Sequence, residues 1–169
     1  MITSPADLPG EAREAFEWIA ASRGEMIRPF AVLMQRPSLA RKVAELGAEI
    51  RFSSTLQDAQ RELAILATGT TLRCDFQWAS HIDLALKMGV RPEAAAALKG
   101  NAPLDAFTDD EAILVAFARS LAATTMVDEA TFDAAKTLLG TSGVVELSTV
   151  IGYYALLACV INACAPGLD

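Results

Sequence analysis

The stretch Gln60–Gly89, QRELAILATGTTLRCDFQWASHIDLALKMG, decides the fold. Its first part reads as a helix from Gln57 to Thr68, with Leu63, Ile65 and Leu66 apolar and Gly69 at its end. The second part reads as a helix from about Thr71 to Met88, stopped by Gly89 as a left-handed cap. On that second helix Cys74, Gln77 and His81 stand at i, i+3 and i+7, so they are expected on one narrow face. Cys74 and His81 would lie about 10 Å apart along the axis, leaving Gln77 and Glu62 from the preceding helix as bridges. His81 is the only histidine of the chain. A thiol near an imidazole can become a thiolate, and an imidazole beside a carboxylate is oriented and poised as an acid or base near neutral pH.

Helix signals continue on both sides, and no alternation of apolar and polar residues persists over strand length, so the fold class expected is all-α. Upstream, Glu11–Ser22 follows Pro9-Gly10, Pro29–Met34 opens on a proline, and Leu39, Val43, Leu46 and Ile50 form an amphipathic stripe after Pro37 and Ser38. Downstream, Pro92 starts a short helix through Leu98. Thr108 and Glu111 have the spacing of a capping box for a helix to about Ala122. Asp128 caps the next as far as Leu139, Gly140 ends it, and Thr141 or Ser142 starts a last helix to about Ala165.

A length of 169 residues suits one domain, with residues 1–37 expected as a helical extension packed on it. The 53% hydrophobic share exceeds the usual apolar content, which points to apolar surface covered between subunits and so to a homo-oligomer. A net charge of −7 without a basic block argues against nucleic acid and anionic membrane surfaces as partners, and in favour of a small-molecule substrate. The three cysteines, Cys74, Cys159 and Cys164, have no framework spacing and suit a reducing compartment, and the N-terminus lacks a basic region followed by an apolar core, so the expected location is the cytoplasm. The run Val144–Ala165 is apolar, but Glu146, Ser148, Thr149 and Asn162 interrupt it and no basic residue flanks it; a core or interface helix is expected there rather than a membrane span. One histidine and scattered carboxylates offer no metal-ligand cluster, and no glycine-rich phosphate loop is present, so neither a metal nor another cofactor is expected.

Four stretches carry a family resemblance: KVAELGAEIRFSSTL, QRELAILAT, CDFQWASH with its continuation IDLALKMGV, and VVELSTVIGYYALLACVINA. Together they resemble the carboxymuconolactone decarboxylase and alkylhydroperoxidase D superfamily, over roughly 130 residues from Leu39 onward. The resemblance implies a domain of mostly antiparallel helices assembled as trimers or hexamers. The peroxidase branch of that family carries a Glu, a CxxC beginning twelve positions later, and a His four after the second cysteine. Here Glu62, Cys74 and His81 occupy matching positions while Gln77 holds the place of the second cysteine. Disulfide peroxidase chemistry needs a resolving thiol, which glutamine cannot supply, and FQWASH is closer to the decarboxylase-like branch, which requires no redox cysteine.

Each of these residues also has a plain structural reading: Cys74 as a small core residue, His81 as a hydrogen-bonded structural imidazole, Glu62 as part of a surface ion pair, Trp78 as packing. Weighed against these, the expected catalytic residues are His81, Glu62, Cys74 and Gln77, with Trp78 as a pocket wall and Arg73 as anchor for a substrate carboxylate. Tyr153 and Tyr154 are adjacent and point in different directions, so that one reaches the pocket. The resulting expectation is a cofactor-free acid–base enzyme acting on a small carboxylated lactone or unsaturated acid. In it His81 moves the proton, Glu62 orients His81, and Gln77 donates to the developing oxyanion. Two alternatives stand beside it: a thiol peroxidase working through Cys74 alone, and a non-catalytic helical oligomer that binds a small hydrophobic ligand.

Overall fold

The computed structural model describes residues 1–6 and 8–167. Among them are eight α-helices and two short 3-10 turns, with no strand, so the all-α expectation holds. The chain divides into two compact units, Met1–Ser53 together with the chain from Cys159 onward, and Ser54–Ala158.

In the first unit α1 (Gly10–Arg23) ends on Gly24, whose φ of 83° is the left-handed cap that glycine adopts without a Cβ penalty. Helix α2 (Arg28–Leu33) and helix α3 (Pro37–Phe52) each carry proline in the first turn, where its missing N–H costs nothing. Half of the stripe expected on α3 packs: Val43 and Ile50 are buried, whereas Leu39 and Leu46 are not. Leu39 and Leu46 are 49% and 44% exposed, and the buried face is Ala40, Val43, Ala44, Gly47 and Ile50. The small side chains on that face let α1 approach closely: Arg41 of α3 stacks on Trp18 with its guanidinium carbon 3.9 Å from the ring centroid, and Arg23 donates to the Ala44 carbonyl at 2.9 Å.

In the second unit α4 (Asp58–Thr71) is the centre, packing on α5 (Asp75–Lys87), α6 (Pro92–Lys99) and α7 (Asp109–Thr124). Every residue from Arg61 to Gly69 is buried, which is how a helix surrounded by neighbours reads. Its start is a reciprocal capping box between Gln57 and Gln60. Gly69 does not end α4, as its type suggested, but sits inside it. A Cβ there would lie 3.2 Å from Nε2 of Gln77, so the glycine serves the close approach of α5. The α4–α5 connection turns at Arg73, whose φ is 53°, and Cys74 with φ −95° and ψ 88° is the N-cap of α5 rather than a residue inside it.

Helix α7 begins on the capping box read from the sequence, with the Thr108 amide donating to Glu111 at 3.0 Å. Arg91, which precedes α6, holds the same carboxylate through Nε at 2.9 Å and Nη2 at 2.6 Å. Helix α8 (Glu129–Cys164) is broken at Gly140, where φ 72° and ψ 173° interrupt the helical run at the position expected. Asp128 caps its first part, accepting from the Thr131 amide at 2.9 Å. Glu146 on the second part ties the Ser54–Leu56 segment to the helix, accepting from the Thr55 amide at 3.0 Å and from its hydroxyl at 2.5 Å. By length and composition α8 with the turn after it could cross a membrane; half of its most apolar stretch is buried against the rest of the protein.

Candidate functional site

The central helix delivers a carboxylate and its neighbour an imidazole. Glu62 on α4 is 3% exposed, and its Oε2 lies 2.8 Å from Nδ1 of His81 on α5. The contact that sequence spacing left open is therefore made. An ionised carboxylate only accepts, so Nδ1 carries the hydrogen and the lone pair of a neutral ring is placed on Nε2. Nε2 has no hydrogen-bond partner among the described residues. The His81 side chain keeps 16% of its surface open, against 4% for that of Glu62. From α8, the Tyr154 ring meets the imidazole edge to face, with centroids 5.0 Å apart and planes at 88°, and Tyr153 meets Tyr154 in the same way at 5.3 Å. Together the carboxylate and Tyr154 fix both the tautomer and the plane of the ring. Tyr154, left off the catalytic residues above, is thus the tyrosine that reaches His81. The sequence signal for it was the Tyr-Tyr pair itself, which does not say which member turns inward.

Gln77 lies on α5 one turn before His81 and is 5% exposed. Its Nε2 donates to the Ile65 carbonyl of α4 at 2.9 Å, and its Oε1 is buried without a partner. The expected oxyanion donor is turned onto the neighbouring helix, because the absent side chain of Gly69 leaves the space that its amide fills.

Cys74 departs from the expected arrangement. It is the N-cap of α5 rather than a residue inside the helix, and it is 2% exposed. Burial pushes its thiol up from the ordinary value and the Asp75 carboxylate adds to this, outweighing the Gln77 and Phe76 amides that favour the thiolate. Cys74 lines a cavity of about 540 Å³ whose walls include Arg73 and Trp78 but not Glu62, Gln77 or His81. Of the residues expected around one pocket, Glu62 and His81 form a couple between α4 and α5, and Cys74, Arg73 and Trp78 border this cavity. Lys99 and Arg119, which no motif singled out, border that space as well.

The buried Glu62–His81 couple thus lies between the central helix and the next of an all-helical domain, with Gln77 rather than a cysteine one turn before the histidine. The sequence profile of the carboxymuconolactone decarboxylase family matches residues 37–136, more than half of the chain, and the protein belongs to that family. The matched span contains Glu62, Arg73, Cys74, Gln77, Trp78 and His81, whereas Tyr153, Tyr154 and the terminal run that also resembles the family lie beyond it. No curated protein matches the chain.

Proposed function

We propose that the protein is a cofactor-free acid–base enzyme of the decarboxylase-like branch, catalysing decarboxylation or a proton shift on a small carboxylated lactone or unsaturated acid. The observation that carries the reading is the 2.8 Å contact between the buried Glu62 carboxylate and Nδ1 of His81, with Nε2 left free. Loss of carbon dioxide leaves a dienolate-like carbanion that must be protonated, and a proton shift takes a proton from one carbon and returns it to another. Nε2 of His81 is the atom that moves the proton. Glu62 holds Nδ1–H and stabilises the imidazolium that forms when the ring takes the proton up. Gln77 has no part in this step, since its amide is engaged on α4. Arg73 and Trp78 border the cavity beside Cys74.

The test is turnover of a panel of carboxylated lactones and unsaturated acids by wild type and His81→Ala. A positioned general acid–base contributes about 10²–10⁴-fold, and a loss of that size is expected; equal turnover overturns the reading. A thiol peroxidase working through Cys74 has less support, because burial disfavours the thiolate and Gln77 replaces the resolving thiol. Sulfenic acid at Cys74 after modest peroxide treatment would reverse that ranking.

We further propose a homo-oligomer, a trimer or hexamer, located in the cytoplasm. Its support is the uncharged outer face of α8 between Val145, 63% exposed, and Leu156, 41% exposed, with Thr149 and Gly152 exposed between them. Light scattering at micromolar concentration reads the assembly directly, and a monomer there refutes it.

A further inference from the structure

One glycine of α8 has no reason to be a glycine inside its own chain. Gly152 lies in the second part of the helix, where the backbone is helical throughout, so it needs no left-handed conformation. A Cβ added to it meets nothing within 4 Å, so no neighbouring helix of the chain needs the space. A glycine in a helix interior is destabilising relative to alanine, and here nothing within the chain offsets that. Gly152 is also exposed, in the middle of a stripe formed by Val145, Thr149, Gly152, Leu156, Cys159 and Ala163. All six are exposed. They alternate by four and three residues, the 3.5-residue period of a seam between paired helices, and the stripe runs for about 27 Å.

Charge and size both fit this stripe to a copy of itself. The chain carries a net charge of −7, yet between Val145 and Ala163 its one charged residue is Glu146, whose carboxylate is held by the Thr55 amide at 3.0 Å. Two copies therefore approach along α8 without bringing like charges together. With the two helices antiparallel about a two-fold axis level with Tyr154, Gly152 stands opposite Leu156 of the second copy, Thr149 opposite Cys159, and Val145 opposite Ala163. The leucine fills the place that the glycine leaves open, the valine meets an alanine, and two side chains of middling size meet each other. This register engages the whole stripe, whereas a shift by one layer strands one end of it. A parallel pair sets glycine against glycine and leucine against leucine, which leaves a void in one layer and crowds the next.

We infer that α8 pairs antiparallel with α8 of a second copy of this chain across a two-fold axis, Leu156 of each copy seated over Gly152 of the other. The inference rests on the homo-oligomer proposed above and specifies its contact. An isologous contact closes on two copies, so it requires an even number of chains: a dimer or the hexamer, and not the trimer.

Oxidative cross-linking of the full chain tests the register. In the pair, Cys159 lies about 15 Å along the axis from Cys159 of the other copy, too far for a disulfide, whereas residue 149 stands opposite it. Thr149→Cys/Cys164→Ser is therefore expected to give a covalent dimer under a mild oxidant, and Cys164→Ser alone none. Light scattering at micromolar concentration gives an independent reading. Gly152→Leu sets leucine against leucine and is expected to weaken self-association about tenfold or more. The space around Gly152 within the chain is open and leucine is the better helix former, so the variant is expected to keep its fold, and the cross-linking stands if it does not. Gly152→Leu/Leu156→Ala exchanges knob and hole and is expected to recover the association. A monomeric wild type refutes the homo-oligomer and the pair together. A trimer, or an assembly whose mass and Kd a folded Gly152→Leu leaves unchanged, overturns the pair alone. The same holds if the exchange recovers nothing, or if the two cysteine variants cross-link equally or not at all. A monomer that sediments with phosphatidylcholine vesicles assigns the face to lipid and overturns the inference.

Discussion

Because His81 is the only histidine, its ring nitrogens give one set of signals, and the state of the Glu62–His81 couple can be read without knowing the substrate. The perturbation is Glu62→Leu, close in volume but unable to accept a hydrogen bond. In the wild type the carboxylate accepts from Nδ1 at 2.8 Å, a charge-assisted bond in a setting where Glu62 is 3% exposed. Such bonds contribute about 1.5–3 kcal/mol, which at about 1.4 kcal/mol per factor of ten holds the neutral ring in the Nδ1–H tautomer by roughly 10- to 150-fold. The assay is a long-range proton–nitrogen correlation spectrum of ¹⁵N-labelled protein, recorded at a pH where the ring is neutral. The wild type is expected to show a protonated Nδ1 and a bare Nε2. Glu62→Leu is expected to lose that bias. A wild-type spectrum dominated by Nε2–H, or an unchanged spectrum in Glu62→Leu, would refute the orienting role and with it the assignment of Nε2 as the proton-transferring atom.

Gln77→Met trades one hydrogen bond of about 1 kcal/mol for relief of a buried acceptor without a partner, worth about 1–3 kcal/mol. Urea unfolding is therefore expected to place it within about 1 kcal/mol of wild type or above, with turnover kept, whereas lost turnover in a stable variant would return Gln77 to the oxyanion. Gly140→Ala forces a side chain onto φ 72° and ψ 173°, a region almost confined to glycine, and is expected to cost about 1–3 kcal/mol in the same measurement. A neutral result would mean that the break in α8 moves to another residue. The carboxyl groups of Glu111 and Glu146 both lie below their ordinary value of 4.5. For Glu111 the cause is foremost the Arg91 hydrogen bond; for Glu146 burial pushes up but is outweighed by the Ser54 and Thr55 hydroxyls and the Thr55 and Leu56 amides. Depressed values mean that the unfolded chain binds more protons as the pH drops, so this stability is full above about pH 4.5 and is lost as the pH falls through the folded values. The double variant Glu111→Gln/Glu146→Gln is expected to flatten the acid limb of stability against pH, and an acid limb identical to wild type would show that other groups set it.

The helices were legible where the signal was local. Pro37, Pro92, the Thr108–Glu111 box and Gly140 act within one turn of themselves, and each stands at a boundary where its chemistry put it. The buried face of α3 was legible in part: Val43 and Ile50 pack as their spacing predicts, but Ala40, Ala44 and Gly47 complete the face rather than Leu39 and Leu46. The larger side chains of Leu39 and Leu46 stay exposed, and on the face that packs the alanines and Gly47 allow close approach. Periodicity measures the apolar content of a face and not the size of what packs against it. In the candidate site, Glu62 and His81 were legible because each repeats a family spacing on a regular helix. Lys99 and Arg119 were not, because each belongs to a different helix from Cys74 and the three meet only through packing on α4.

The misplacement of Cys74 has a single local origin with a large consequence. Twelve residues after Glu62 and seven before His81, it reads as a helical position, and the whole argument for one shared face follows from that. The chain instead turns at Arg73 through a left-handed φ of 53°, a conformation that a non-glycine residue adopts in only a few per cent of cases and that nothing about an arginine announces. The turn ends α4 late, at Thr71, and starts α5 late, at Asp75. Cys74 is left as the cap between them, its thiol meeting the backbone amides of Gln77 and Phe76. In a protein with a second cysteine on α5, such a turn would decide whether two thiols meet. Here that position is a glutamine bonded to α4, so the thiol and the imidazole have no common partner on the helix. The same turn that makes Cys74 the cap of α5 sets it in the wall of a cavity with Arg73 and Trp78, so the local backbone and not the spacing of the motif decides what the thiol meets.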